Sequence, residues 1–79
     1  MSPTVFREGK YRGFFFSREE SRTHVHVSCP EGEAKFWIEP LIALAGHTGL
    51  STRELKFMQH LVEERRDEIV RSWKAHFGG

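Results

Sequence analysis

Apolar and polar positions alternate along the first half of the chain, and from Ser51 onward the repeat becomes helical. From Pro3 to about Leu44, β-branched and aromatic residues are interleaved with polar ones and punctuated by Gly and Pro. The pattern predicts four strands, near Thr4–Arg7, Tyr11–Phe16, His24–Cys29 and Glu33–Glu39. Glu8-Gly9-Lys10 and Pro30-Glu31-Gly32 read as turns, and Ser17–Thr23 as a polar loop. Leu41–Ala45 is a candidate fifth strand, although its apolar run lacks alternation.

Strand parity constrains how the third and fourth strands pair. Val25, Val27 and Cys29 share one face, as do Ala34, Phe36 and Ile38. A loop of three residues would set Val27 opposite Lys35 and mix the faces, so a loop of two or four residues is expected. The expected register pairs Cys29 with Ala34, Val27 with Phe36 and Val25 with Ile38. On the other face it sets His24 beside Glu39, His26 beside Trp37 and Ser28 beside Lys35. The first hairpin has no such preference.

The helical half opens on a capping box, with Ser51 as cap and Glu54 three residues on, and on a Leu50–Leu55 hydrophobic staple. Leu55, Met58, Val62, Ile69, Trp73 and, more loosely, Phe77 follow one stripe. A single helix over 51–77 would run about 40 Å, twice the roughly 20 Å of a six-residue strand. Either it breaks near Glu63–Asp67, where charges crowd, or its end projects and offers Trp73 and Phe77 to a partner. The fold class expected is α+β: an antiparallel sheet of four or five strands (1–45) followed by a long C-terminal amphipathic helix (51–77).

Composition narrows this only a little. The 79 residues suit a single domain, and seven Phe with two Trp supply most of its apolar area. One cysteine, Cys29, leaves no internal disulfide, and no apolar run nears the roughly 18 residues of a membrane span, so a cytoplasmic protein with no membrane partner is expected. Twelve basic against eleven acidic residues do not mark a charge-driven nucleic-acid binder.

His24 and His26 are the leading candidates for chemistry. Residues i and i+2 of a strand point the same way, about 7 Å apart. Two imidazoles so placed can serve as acid and base. Glu39 beside His24 would favour imidazolium, and Arg7, Arg12, Arg22 and Lys35 would supply the positive charge that phosphodiester chemistry needs. The plainer reading is a surface pair, with His26 stacked on Trp37. A metal site is not expected. Zinc wants three or four converging ligands, Cys29 falls on the opposite face as a small core residue, and His47, His60 and His76 have no ligand spacing. Cys29 has no activator, no serine stands in an elbow motif, and no glycine loop suits a phosphate, so no cofactor is expected either.

Phe14, Phe15 and Phe16 must divide between the two faces, and the outer one gathers aromatics with Trp37 and Tyr11. Interleaved with Arg and Lys, such a face stacks single-stranded nucleic acid or anchors a protein. Phe57, opposite the helix stripe, adds to the protein reading. The run Glu63 to Glu68 reads as a solvated helix face.

Three motifs in order then resemble a known family: His24-Val25-His26-Val27, the block from Gly32 through Phe36-Trp37 to Pro40, and Gly49-Leu50-Ser51-Thr52-Arg53-Glu54-Leu55 entering a helix. They are similar to the small bacterial domain of unknown function numbered 4160, whose members open with Pro-Thr-Val and a Tyr-Arg-Phe-Phe-Phe-like strand. Pro3-Thr4-Val5 and Tyr11 to Phe16 match this, with Gly13 inserted. Where members carry a proline-rich step before the His-x-His strand, this chain has Glu20-Ser21-Arg22-Thr23. Such domains are often encoded beside another small domain, numbered 2442, in arrangements resembling toxin–antitoxin pairs. The resemblance implies a toxin-like protein bound by an antitoxin-like neighbour. The interface expected is the face with His24, His26, Lys35 and Trp37, flanked by Arg12, Arg22 and Glu39, or else the helix end with Trp73 and Phe77. A metal-independent ribonuclease using His24 and His26 is the rival reading, and an RNA-binding module the third. A homodimer is compatible with all three.

Overall fold

The computed structural model describes residues 4–16 and 22–78, so most of the expected Ser17–Thr23 loop, the Glu20-Ser21 departure, Pro3 and Gly79 lie outside the described residues. Strands β1 (Thr4–Glu8), β2 (Tyr11–Phe14), β3 (His24–Cys29), β4 (Gly32–Trp37) and β5 (Ala43–Thr48) form one antiparallel meander in chain order. Helices α1 (Thr52–Glu64) and α2 (Arg66–Phe77) follow. The fold is α+β, with the fifth strand present.

Parity in β3 and β4 is as the pattern requires, but the register differs by two residues. Cys29 stands opposite Gly32, Val27 opposite Ala34 and Val25 opposite Phe36; on the other face, His26 pairs with Lys35 and His24 with Trp37. The turn is therefore the two residues Pro30-Glu31. Gly32 enters the ladder because it has no side chain: a Cβ there would run into the Thr48 carbonyl oxygen and crowd Gly49. Tight closure between the start of β4 and the end of β5 thus needs glycine at this position. Ile38 consequently lies past the ladder, where its N–H donates to the Thr23 carbonyl at 3.0 Å. In the first hairpin Phe6 lies across from Gly13, and its ring occupies the space a side chain on Gly13 would fill.

One face of the sheet carries the core. Phe6, Val25, Val27, Ala34, Phe36 and Ile38 pack with Phe15 against Met58, Val62, Ile69 and Trp73. Complete burial of each Val, Ile, Met or Phe side chain among these stabilises the fold by about 1.5–3 kcal/mol. Ser51 caps α1, its Oγ accepting the Glu54 N–H at 3.2 Å. The Glu54 carboxylate reaches Tyr11 Oη at 2.5 Å and Lys10 Nζ at 3.1 Å. Lys10 also bonds Glu31 at 3.0 Å, so the β1–β2 turn, the β3–β4 turn and the start of α1 are tied at one end of the sheet.

The long helix breaks at Arg65, inside the stretch where charges crowd. Arg65 has φ −104° and ψ 15°, and its N–H returns to Leu61 O at 3.1 Å. Its guanidinium bonds Glu8 at 2.6 Å and Glu68 at 3.2 Å and lies 4.9 Å from the centre of the Phe6 ring, so the break is anchored to β1. The chain then turns back over the sheet. Trp73 packs edge-on to Phe15 at 5.2 Å and Phe77 follows at 5.9 Å. A projecting end carrying Trp73 and Phe77 is therefore not formed; Trp73 is buried core and Phe77 half-buried.

Tyr11, the single tyrosine, reports on this arrangement. Burial, reinforced by the Glu54 carboxylate, pushes its phenol up to about 12. The unfolded phenol ionises near 10, so this contribution to stability is complete below that pH and is lost as pH rises toward 12. Tyrosinate absorbance is expected to have its midpoint near 12 in the native protein. In Glu54→Gln it moves down toward, but not fully to, the free value, because burial remains. A native midpoint near 10 would show that the phenol is not held this way.

Candidate functional site: the outer sheet face

The face of the sheet opposite the core strip is built by the alternate residues of each strand, and α2 reaches it at the start of β3 through Trp73. Arg7 lies across from Arg12, Phe14 across from His26, His26 across from Lys35, and His24 across from Trp37. Glu33 and Thr48 complete the face toward β5. The two histidines share this face as parity predicts, with ring centroids 5.3 Å apart and nearly perpendicular.

Their surroundings differ from the expectation. His26 does not stack on Trp37; it lies parallel to Phe14 at 5.4 Å, edge-on to Phe16 at 4.4 Å, and its Nδ1 is 3.9 Å from Glu33. Beside His24 stands Trp37 at 5.6 Å, where Glu39 was expected, and Trp73 of α2 closes over it at 5.0 Å. His24 has no exposed surface, and its Nδ1–H donates to the Arg22 carbonyl at 2.7 Å. Both imidazoles were expected to stand out in solvent. The shift of two in register moves Glu39 past the ladder, and the break at Arg65 lets α2 bring Trp73 to the start of β3. Glu39 instead holds the approach to that strand: its carboxylate accepts from Thr23 Oγ1 at 2.8 Å, and its backbone oxygen from Arg22 Nε at 3.0 Å.

The half-exposed centre of the face is Trp37. The Arg22 guanidinium lies 4.3 Å and the Lys35 ammonium 4.5 Å from its ring centroid. Each such cation–aromatic contact is worth roughly 0.5–2 kcal/mol, the more where water is excluded. Arg12 repeats the motif at 4.6 Å over Phe14 while its Nε donates to Thr4 Oγ1 at 2.8 Å. Toward β5 the face opens into a pocket of about 200 Å³ between His26, Glu33, Lys35, Gly46 and Thr48. Gly46 creates this opening, since a Cβ at that position would meet nothing within 4 Å. The sequence signal for this pocket is a glycine inside an uncharged strand.

Acid–base work needs both partners within hydrogen-bond reach of a substrate. His24 lacks that access, whereas Trp37, Lys35 and Arg22 form a surface suited to contact. Among the described residues no three of His, Cys, Asp and Glu converge on a metal-sized site. No helix among them is long and apolar enough to cross a membrane. His24→Ala is expected to lower stability by about 2–4 kcal/mol, as truncation of a fully buried ring does. Denaturant unfolding measures this, and a loss below about 0.5 kcal/mol would show that the ring is not enclosed.

Comparison with known proteins returned one family. A family model described as Domain of unknown function (DUF4160) matches residues 11–74. No curated protein and no solved structure matches the chain.

Proposed function

The chain belongs to the DUF4160 family, and from that membership and the character of its outer sheet face we propose that it is the toxin-like member of a bacterial, cytoplasmic toxin–antitoxin-type pair that acts by binding a small partner protein. The observation that carries this reading is Trp37, half-exposed between the Arg22 and Lys35 cations. Tryptophan and arginine dominate the energetics of protein interfaces, because a large ring and a planar cation exclude much water for little lost freedom. The flanking charges favour a partner that brings carboxylates to the rim of the contact.

The ribonuclease reading draws less support from the same geometry. A fully buried His24, with its Nδ1 proton committed to a backbone carbonyl, has no path to a phosphodiester. An RNA-binding module is also less favoured, since the near-neutral net charge of +1 gives little general attraction to phosphate.

The test is titration calorimetry with the protein encoded by the adjacent gene. A defined complex at micromolar affinity or tighter is expected. Trp37→Ala should weaken it about 30-fold, the level of an interface hot spot, with an unchanged circular dichroism spectrum. Absence of a complex at micromolar concentration removes the pairing, and full affinity in Trp37→Ala removes this face as its site.

A further inference from the structure

Strand β5 differs from the other four. All six of its residues, Ala43–Thr48, are exposed, and among the described residues it stands at the end of the sheet, beside β4. Edge strands of this kind leave a row of backbone N–H and C=O groups able to pair with another extended chain. Natural edges are commonly protected by lysine, proline or a covering helix. Here no charged residue or proline falls within the strand. The uncharged run extends over 40–52, in a chain where 12 basic and 11 acidic residues occupy 23 of 79 positions. The edge also carries apolar side chains, Leu44 at 41% and the preceding Leu41 at 76% exposure.

We propose that β5 is a self-pairing edge, through which two copies of this chain join antiparallel about a two-fold axis into one continuous ten-stranded sheet. Charge selects the occupant. In a two-fold antiparallel ladder the residue on the axis meets its own equivalent and its neighbours meet residues equally far beyond it, so a charge on the axis repels its own copy. A strand with no Lys, Arg, Asp or Glu meets that condition, and the net charge of +1 adds almost no repulsion between whole molecules. Geometry agrees. The axis is normal to the sheet, so both helical layers stay on one side. Leu44 lies opposite Phe36 and therefore on the helix side, where the two copies of Leu44 bury each other in the trough between those layers. Six ladder positions with Leu41 and Leu44 bury on the order of 1,000 Å² in total, the lower end of specific interfaces. The bulge opposite Lys35/Phe36 lies in β5 itself, where Ala45 is the extra residue between Leu44 and Gly46; it is a protective feature that limits the ladder rather than abolishing it.

The arrangement would leave the Trp37 face of each copy open on the side away from the helices. Two equivalent faces would lie near the axis, roughly three strand spacings or about 14 Å apart from β4 to β4. The proposal does not depend on what that face binds, and its test uses the protein alone.

Sedimentation equilibrium and light scattering at about 10–500 μM, a range that populates micromolar dimers, are expected to give twice the 9.2 kDa chain mass. Gly46→Lys has open space for its side chain in the single chain, so it is expected to fold normally. It places an ammonium on the pairing strand of each copy, and Leu44→Lys, an independent second variant, sets two ammonium groups directly against each other where the Leu44 copies meet; both should give the monomer mass. Amide exchange in residues 43–48 should slow with rising concentration in the native protein and not in Gly46→Lys. A monomer across the whole range overturns the proposal. So does a dimer that survives both lysine variants, or a mass that climbs without limit, which would mean open-ended rather than closed pairing.

Discussion

Val25, Val27, Ala34 and Phe36 meet on one face of β3 and β4, and Met58, Val62 and Ile69 cover them so closely that almost no surface is left to water. Because side chains in a strand alternate, committing these residues to the helices commits His24, His26, Lys35 and Trp37 to the opposite face. The length of the covered strip has a second consequence. A strand of six residues spans about 20 Å, so one straight helix would overrun it. The break at Arg65, bonded to Glu8 and Glu68, resolves the mismatch and returns Trp73 to the core. The two-residue alternation, the helix break and the closing of Trp73 over Phe15 and His24 are linked parts of one packing solution.

Much of this was legible in the residues, and the gaps have physical causes. Strand parity follows from any period-two pattern, so the valine face and the histidine face were readable. Register is not, because a shift of two preserves every face. It was set by a close backbone approach at Gly32 that only the position of Thr48 explains. The break was visible as a crowding of charges and a length excess, but which of the two outcomes held depended on Arg65 finding Glu8, 57 positions away. The capping box was half legible. Ser51 caps Glu54 as its spacing implies, while the Glu54 carboxylate turns to Tyr11 and Lys10, partners on a strand and turn the helix signature does not contain.

The candidate site divides along the same line. Lys35 and Trp37 share a face because they are two apart on β4, and Arg22 joins them from just before β3, where its Nε donates to the Glu39 carbonyl. His24 was misjudged because the ring that encloses it comes from residue 73, brought there by the break. Burial in a small α+β fold is decided at such late contacts, and an alternation pattern places a side chain on a face without saying whether another element covers it. The surface of the described residues carries an aromatic–cation face and an uncharged edge.

The central claim, that one tryptophan is sealed under the helices while the other lies on the open face between two cations, can be read from fluorescence quenching in Trp37→Phe and Trp73→Phe. With Trp37 as sole emitter, iodide should quench strongly and caesium weakly, because Arg22 and Lys35 concentrate anions at the ring. With Trp73 as sole emitter, neither ion should quench appreciably. Equal quenching of Trp37 by the two ions, or a Trp73 as accessible as Trp37, would contradict the account.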